Sequence, residues 1–251
     1  MNLLAIDIGN TSALFVRHSQ RGPGKSFRLP TQALTKASYA LLKSKIKSWN
    51  LDAAAIASVV PKAGENTKKI LKKLGIKAYL IGRDIKPPIH NRYHHPKQVG
   101  MDRLMNAVAA FERYKKEAIV IDFGTAITFD VISKKGEYLG GVIAPGIEIS
   151  LEALYQRTAL LPKIRLAHPK HLIGKDTVES IRVGCSVGIG GLCDRIVDKL
   201  KKDTQFTPVV IGTGGYASFM RRYCASIDIV DKNLTLRGII LSYKKFLTSR
   251  G

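Results

Sequence analysis

Two short phrases of the sequence place a carboxylate between an apolar strand and a glycine turn. The first, AIDIGNTSALFV, contains Asp7, Gly9 and Thr11, and the second, VIDFGTAITFDV, repeats the pattern with Asp122 and Thr125. Glycine permits positive φ and close backbone approach, so the N–H groups of such a turn, with a hydroxyl beside them, can hold a phosphate. A carboxylate repels phosphate but can hold a cation that bridges to it. The two phrases therefore indicate phosphate binding assisted by a cation.

One such phrase alone would also fit a plain β-hairpin whose aspartate bonds the turn backbone. A third glycine turn follows another apolar run at Ile211–Gly215, where a flat adenine or a ribose could approach bare backbone. Three turns of this kind favour a nucleotide site over an ordinary hairpin. The spacing of the two carboxylate phrases also predicts two related halves with a cleft between them, and domain clefts are preferred ligand sites.

A third carboxylate stands in VGMDRL, where a long loop meets a predicted helix. Asp102 could accept a proton from a substrate hydroxyl, which is the base that phosphoryl transfer needs beside a metal and charge stabilisation. Arg103 could bind an anionic part of the acceptor, in bidentate fashion if that part is a carboxylate. An aspartate in a first helical turn also suits a helix cap, so both interpretations stay open.

Strands and helices alternate in the first half of the chain, which predicts an α/β sheet. Residues 84–100 lack periodicity and hold three prolines, and long loops of this kind are often functional. The predicted elements are strands at about 3–8, 13–17, 26–30, 52–61 and 77–82, and helices at about 35–49, 66–75 (with Asn66 as its cap) and 101–116.

The pattern restarts at Glu117 without a low-complexity linker, so we predict two closely packed domains at 1–117 and 118–251. In the second half we expect strands around Asp122 and at 208–215, and a helix over 177–202. A chain of 251 residues, 45% hydrophobic, is long enough for either one large domain or two compact ones.

Composition restricts the class of protein. No apolar run approaches the ~20 residues that span a bilayer, and the start of the chain has no basic region typical of a signal peptide, so we expect a cytoplasmic protein without membrane contact. Three cysteines without CxxC spacing indicate buried thiols rather than disulfides or a zinc site. The histidines of HNRYHHP lack the carboxylate or cysteine spacing that a metal site needs.

The net charge of +22 is uneven: residues 1–117 carry 22 Lys and Arg against 7 Asp and Glu, and the rest carries 19 against 12. Such a charge suits an anionic partner. The lysines fall at helical spacing opposite apolar residues, which is typical of solvated helix faces. Because no RNP-like motif, zinc finger or serine/arginine tract is present, we expect no nucleic-acid partner.

Six motifs together resemble one known family. DIGNT, YHHPKQVGMDR, DFGTAITFD, GGVIAPG, DTVESIRVG and GTGG come in the order and spacing of type III pantothenate kinases, over essentially the whole chain. The resemblance implies an α/β fold of two duplicated RNase H-like (actin-like ATPase) domains with a nucleotide cleft between them. It implies phosphorylation of pantothenate by ATP, the first committed step of coenzyme A synthesis, by a homodimer that needs Mg²⁺ and a monovalent cation, K⁺ or NH₄⁺.

The same resemblance implies roles for individual residues. Asp102 is the proton acceptor, Asp122 binds the monovalent cation, Asp7 is a second metal-binding carboxylate, and Thr125 contacts ATP. The first phosphate loop is Asp7, Ile8, Gly9, Asn10, Thr11, Ser12, Ala13 and Leu14. The pantothenate contacts are Tyr93, Gly100, Met101, Asp102, Arg103 and, across the dimer, Thr177.

One position departs from the family pattern. Many members carry lysine at or beside position 14, and Leu14 supplies no charge to the phosphates there. Two alternatives also remain from the residues themselves, since Tyr93 could be a packing aromatic and Thr177 a helix N-cap.

Two other functions compete with pantothenate phosphorylation. One is a kinase or phosphatase of the same superfamily that acts on another small acceptor or on polyphosphate. The other is a nucleotide-binding regulator that uses its basic face on nucleic acid. The pairing of Asp102 and Arg103 with both carboxylate loops favours the enzyme, because a regulator needs no positioned base.

Overall fold

The computed structural model describes residues 1–20, 22–35 and 39–249, and its contacts divide the chain into two units. The first unit is Met1–Arg113 together with the chain from Asn233 onward, and the second is Tyr114–Lys232. Part of the predicted helix at 35–49, residues 36–38, lies outside the described residues. The strands are β1 (Leu3–Ile8), β2 (Ser12–Ser19), β3 (Gly22–Pro30), β4 (Ala53–Ser58), β5 (Lys77–Leu80), β6 (His90–Asn91), β7 (Ala118–Phe123), β8 (Ala126–Ile132), β9 (Glu137–Pro145), β10 (Val209–Thr213) and β11 (Ile229–Val230).

Helices accompany the strands in both units, so the α/β class is confirmed. The described helices are α1 (Thr31–Thr35), α2 (Tyr39–Ile46), α3 (Pro61–Lys73), α4 (Met101–Tyr114), α5 (Ile147–Gln156), α6 (Thr177–Val183), α7 (Ile189–Thr204), α8 (Ala217–Met220) and α9 (Leu234–Thr248). The long loop contains β6 and a 3₁₀ turn, Pro96–Gln98. The predicted helix at 177–202 is interrupted by a π-helical turn, Gly184–Gly188, whose glycines weaken a regular helix.

The first unit is built on a sheet with the strand order β3-β2-β1-β4-β5. Strand β1 pairs antiparallel with β2 and parallel with β4. Every residue of β1 except Asp7 is buried, which is what a strand covered on both faces requires. The apolar run of β1 therefore carries its single carboxylate to the end of a buried strand.

Helix α3 begins earlier than we predicted. It starts at Pro61, whose fixed φ suits the first helical position, and not after Asn66. The Asn66 amide donates to the backbone carbonyl of Leu34 at 2.7 Å instead of capping the helix. The predicted end is confirmed, because Gly75 follows the helix with φ of +80°.

The second unit repeats the strand order of the first. Five of its strands run β11-β10-β7-β8-β9, with β7 antiparallel to β8 and parallel to β10. The two carboxylate phrases thus lie at the same place in two like sheets. They differ in their cross-strand neighbours, since Asp7 faces Leu14 and Asp122 faces Thr128.

Helix α9 packs against β1 and β4, so this part of the chain belongs to the first unit by its contacts. The predicted second domain, 118–251, included α9, whereas the contacts place α9 in the first unit. The reason is that the buried face of α9, including Leu234 and Ile239, covers the first sheet. Its Thr235 hydroxyl donates to the Asn106 side chain of α4 at 2.8 Å.

Helices α9 and α4 approach each other closely at Gly238, where an added Cβ would stand 2.0 Å from the Met105 carbonyl oxygen. We expect Gly238→Ala to lower the free energy of unfolding by about 1–3 kcal/mol, the usual cost of overpacking. Urea unfolding measures it. Gly191→Ala in α7 is the matched control, because its Cβ meets nothing within 4 Å, and alanine there should be neutral or stabilising. Equal stability of the two variants would contradict the close approach.

Candidate active site

The first glycine turn joins β1 to β2 and is held in shape by neighbouring backbone. The Gly9 N–H donates to the Ser12 carbonyl at 3.0 Å, and the Thr31 hydroxyl donates to the Gly9 carbonyl at 2.7 Å. The Thr31 N–H also donates to the Thr11 carbonyl at 3.0 Å. Asn10 and Thr11 are exposed while Asp7 is partly buried. The turn is therefore preorganised, with its rim open to a ligand, and Thr31 is a support that the sequence pattern did not reveal.

Asp102 lies in the first turn of α4, as predicted. Its Oδ1 accepts a hydrogen bond from the backbone N–H of Arg103 at 2.8 Å, so it does serve its own helix terminus. Burial raises the pKa of the Asp102 carboxyl, and the Arg103 N–H and guanidinium oppose that shift. A carboxyl with a raised pKa is better matched to proton transfer near neutral pH than an ordinary aspartate.

The acceptor segment comes close to the end of β1 at one residue. An added Cβ on Gly100 would stand 2.5 Å from Asp102 Oδ1 and 3.4 Å from a Val59 methyl. The Val59 N–H donates to the Ile8 carbonyl at 3.0 Å. Gly100 therefore lies beside both Asp102 and Val59, the residue that bonds the end of β1, and a side chain at position 100 would meet the Asp102 carboxylate.

Two other predicted acceptor contacts are fixed locally. The Tyr93 N–H donates to Asn91 Oδ1 at 3.0 Å, and the Asn91 amide donates to the Pro96 carbonyl at 3.2 Å. The Asn91 side chain therefore connects the Tyr93 backbone to the 3₁₀ turn that begins at Pro96. Arg103 is 7% exposed, which is deep burial for a guanidinium. Asn91 was missed by the sequence reasoning, although its place two residues before Tyr93 is typical of a turn residue.

The second glycine turn is assembled from three segments of the second unit. The Gly124 N–H donates to the Ala126 carbonyl at 3.2 Å, in the manner of the first turn. A Cβ on Gly146 would lie 2.0 Å from the Thr125 carbonyl oxygen. A Cβ on Gly214, whose φ is +90°, would lie 2.4 Å from Asp122 Oδ1. The Ile211–Gly215 turn therefore meets the Asp122 carboxylate. Gly146, the last residue of the GGVIAPG motif, is a further member of this site, although the motif alone indicated no role for it.

Thr177 is exposed at the first position of α6. The N-cap is its neighbour Asp176, whose Oδ1 accepts from the Glu179 N–H at 2.8 Å, so the alternative role of Thr177 as the cap is wrong. Thr177 lines a groove of about 680 Å³ in the second unit. Apolar side chains of this unit stand in solvent, among them Leu160 (90% exposed), Ile173 (73%) and Leu172 (71%).

The described residues contain no group of three or more His, Cys, Asp or Glu side chains placed to hold a metal ion. Among the described helices, none is long and apolar enough to span a bilayer. The three cysteines are free and buried, as predicted.

Comparison with known proteins gives consistent matches over the whole chain. Residues 3–199 match the family model described as type III pantothenate kinase. The chain is 41% identical to a type III pantothenate kinase of Syntrophus aciditrophicus and 39% identical to one of Halalkalibacterium halodurans. Each alignment covers 97% of this chain and 99% of the relative.

Among solved structures, a Sinorhizobium meliloti protein described as a candidate 2-dehydro-3-deoxygalactonokinase has a similar fold. The TM-score is 0.65 at 13% identity, with 97% of this chain and 99% of the other covered. At that identity the likeness concerns the fold alone.

Proposed function

The chain belongs to the type III pantothenate kinase family, and from that membership we propose how its residues divide the work of the reaction. The family activity is transfer of phosphate from ATP to pantothenate, which gives 4′-phosphopantothenate in coenzyme A biosynthesis. The observation that supports the division of roles is the partly buried carboxyl of Asp102, which lies beside Gly100. Gly100 in turn lies next to Val59, whose N–H donates to the Ile8 carbonyl at the end of β1.

Asp102 takes the proton of the pantothenate hydroxyl as that oxygen attacks the γ-phosphate of ATP. Its raised pKa supports this role, because a base that binds its proton more tightly accepts one more readily in the transition state. Arg103 orients the acceptor by its charge, as bidentate binding of a carboxylate allows. Tyr93, Gly100 and Met101 contact pantothenate, and Thr177 does so across a dimer.

The two glycine turns hold the phosphates. Backbone N–H groups of the turns and the hydroxyls of the exposed residues Thr11 and Thr125 supply donors without carrying charge of their own. Leu14 faces Asp7 across the hairpin, so a lysine at position 14 would stand next to that carboxylate. The first turn of this chain therefore binds phosphate by its backbone rather than by a lysine at position 14.

Each of the two turn carboxylates takes one metal role. Mg²⁺ usually keeps several waters and is held by one or two carboxylates together with substrate phosphates, which suits Asp7. When bound, it neutralises charge on the transferring phosphate. Asp122 holds the monovalent cation, K⁺ or NH₄⁺. The polar neighbours of its strand position support this, since Thr128 and Thr213 flank Asp122 in the sheet.

The like strand orders of the two sheets support descent from one duplicated RNase H-like domain. The nucleotide cleft between the copies and the cytoplasmic location stay predictions. A homodimer is supported by the exposed apolar residues of the second unit, because large exposed apolar patches mark association sites. Light scattering tests it: a mass of 27.6 kDa, that of one chain, would exclude the dimer.

The experiment that tests the function is ADP release from ATP with and without pantothenate. We expect release to depend on pantothenate and to be faster in K⁺ than in Na⁺. Pantothenate-independent release, or equal release with another small acceptor, would contradict the acceptor assignment.

Asp122→Asn should remove the advantage of K⁺ over Na⁺, because the amide keeps the shape of the side chain and loses its charge. Titration of ADP release against K⁺ concentration measures this. Asp176→Asn is the control, since it changes the same charge at a helix cap in the same unit and should retain the K⁺ response. A normal K⁺ response in Asp122→Asn would overturn the cation assignment.

A further inference from the structure

A cavity of about 860 Å³ lies in the first unit beside the start of α4, and neither glycine turn nor Asp102 lines it. Its wall comes from the start of α3, the turn after β5, both ends of the long loop (residues 86–91 and 96–99) and two residues of α4, Met101 and Leu104. Its volume falls in the range of small-molecule sites, about 300–1,000 Å³. Residues 86–90 of the loop have no part in the proposed reaction, although the length and the prolines of the loop indicate a functional segment.

Most of the wall is apolar. Four prolines and several aliphatic side chains form it, and two glycines that allow this shape each lie in close contact with a neighbouring side chain. A Cβ on Gly64 would stand 3.0 Å from the Ser58 side chain, and one on Gly82, with φ of +93°, would stand 2.4 Å from the Met101 methyl. The apolar side chains of the wall include Pro87, Pro88, Ile89, Pro96, Val99 and Leu104.

The charges on the wall do not cancel. Glu65 is already paired with Arg83, so it offers no free negative charge to a ligand. Lys86 and Lys97 are both exposed, and within the part of the chain that the structure describes neither has a carboxylate partner. Two cationic side chains thus remain beside an apolar surface.

The turn that carries the cavity is held firmly. Asp84 pairs with the Lys68 ammonium at 2.6 Å and accepts from the Leu80 N–H at 2.7 Å. These two partners, together with Arg83, hold the pKa of the Asp84 carboxyl below its usual range although burial opposes them. A site whose frame is fixed in advance loses little affinity to ordering on binding.

We propose that this cavity is a second ligand site that binds an amphipathic anion, a carboxylate or phosphate carried on an apolar body. The apolar wall takes the body, and Lys86 with Lys97 takes the anionic group. Met101 forms part of the wall, so its methyl group is a natural reporter of occupancy.

Octanoate is a suitable probe, with octanamide as its uncharged counterpart and inorganic phosphate as the charge alone. The chain has four methionines, and ¹³C-methyl methionine labelling gives four signals, with the Met101 signal assigned by its loss in Met101→Leu. We expect octanoate to move the Met101 signal to saturation and to leave that of Met220, which is fully buried in the second unit. Octanamide and phosphate should each bind about tenfold more weakly.

Charge-matched variants locate the anionic group. The double variant Lys86→Gln/Lys97→Gln should bind octanoate about tenfold more weakly, as loss of two exposed ion pairs implies. Lys72→Gln/Lys73→Gln removes the same charge from exposed positions at the end of α3, outside the cavity, and should bind as the unmodified protein does. Equal affinity in both doubles, or an unmoved Met101 signal, would overturn the proposal.

Saturating pantothenate decides whether the site is separate. Pantothenate alone should also move the Met101 signal, because Met101 is an expected pantothenate contact. If octanoate then moves the signal further at the same concentrations, the cavity is a second site; if pantothenate abolishes this further shift, the cavity belongs to the acceptor site and the proposal fails. Pantothenate-dependent ADP release should be retained in Lys86→Gln/Lys97→Gln. The two claims can therefore fail independently. Absence of octanoate binding in a protein that still shows pantothenate-dependent ADP release counts against the second site alone, and octanoate binding without such release counts against the kinase assignment alone.

Discussion

Asp102→Asn should lower the turnover of pantothenate phosphorylation by about 10²- to 10⁴-fold, the usual contribution of a general base. The amide has the shape of the carboxyl but cannot accept the proton of the attacking hydroxyl. ATP affinity should persist, because Asp102 lies outside both glycine turns. Single-turnover kinetics with nucleotide titration measure both quantities, and turnover within a few fold of the unmodified enzyme would exclude Asp102 as the base.

The pH dependence of the same pair of proteins separates catalysis from folding. Burial raises the pKa of Asp102, so the unmodified enzyme should lose turnover on acidification at a higher pH than an ordinary aspartate would give. The raised pKa also means that ionisation of Asp102 destabilises the folded state. The free energy of unfolding should therefore fall as the pH rises from the usual aspartate pKa through the raised pKa of Asp102. Asp102→Asn should therefore be at least as stable as the unmodified protein at neutral pH. A destabilised variant would assign the carboxylate a structural role.

Gly214→Ala should have the second large effect, on both stability and nucleotide binding. The residue has φ of +90°, which costs a side chain about 1–3 kcal/mol, and its Cβ would press on Asp122 and on the Phe123 carbonyl at 2.7 Å. With the overpacking included, we expect a loss of about 2–4 kcal/mol in the free energy of unfolding. The surviving folded protein should show an ATP KM at least about tenfold higher, because the displaced atoms belong to the second turn.

Gly215→Ala is the control for stability. Its Cβ would meet nothing within 4 Å and its φ is not in the left-handed region, so unfolding should be nearly unchanged. Urea unfolding of the two alanine variants makes the comparison. Similar stability in both would contradict the contact between the third turn and Asp122.

The repeated phrases predicted the hairpins well because both signals are local. An apolar run, a carboxylate and a glycine turn lie within twelve residues of one another, so Asp7 and Asp122 could be placed at strand ends from sequence alone. The third turn after β10 was also found from its own pattern. Neighbouring residues decide these features, and little tertiary information is needed.

Features that depend on distant packing could not be predicted. Gly146 is required by the Thr125 carbonyl, which comes from another segment, and Asp84 is paired with Lys68 of a preceding helix. The predicted start of α3 was wrong because asparagine is a common helix cap in sequence patterns. In the folded protein the Asn66 amide instead donates to the Leu34 carbonyl, which is distant in sequence. The assignment of α9 to the first sheet likewise depends on an apolar face that either unit could have covered.

That assignment of α9 has a consequence for how the protein is made. On the ribosome, β1 and β4 emerge long before the helix that covers them, by on the order of ten to fifty seconds at about 5–20 residues per second. The second unit is continuous in sequence and can complete its fold first. Until the final helix arrives, the first sheet keeps an apolar face that a chaperone would recognise, and the nascent chain is most exposed to aggregation at that stage.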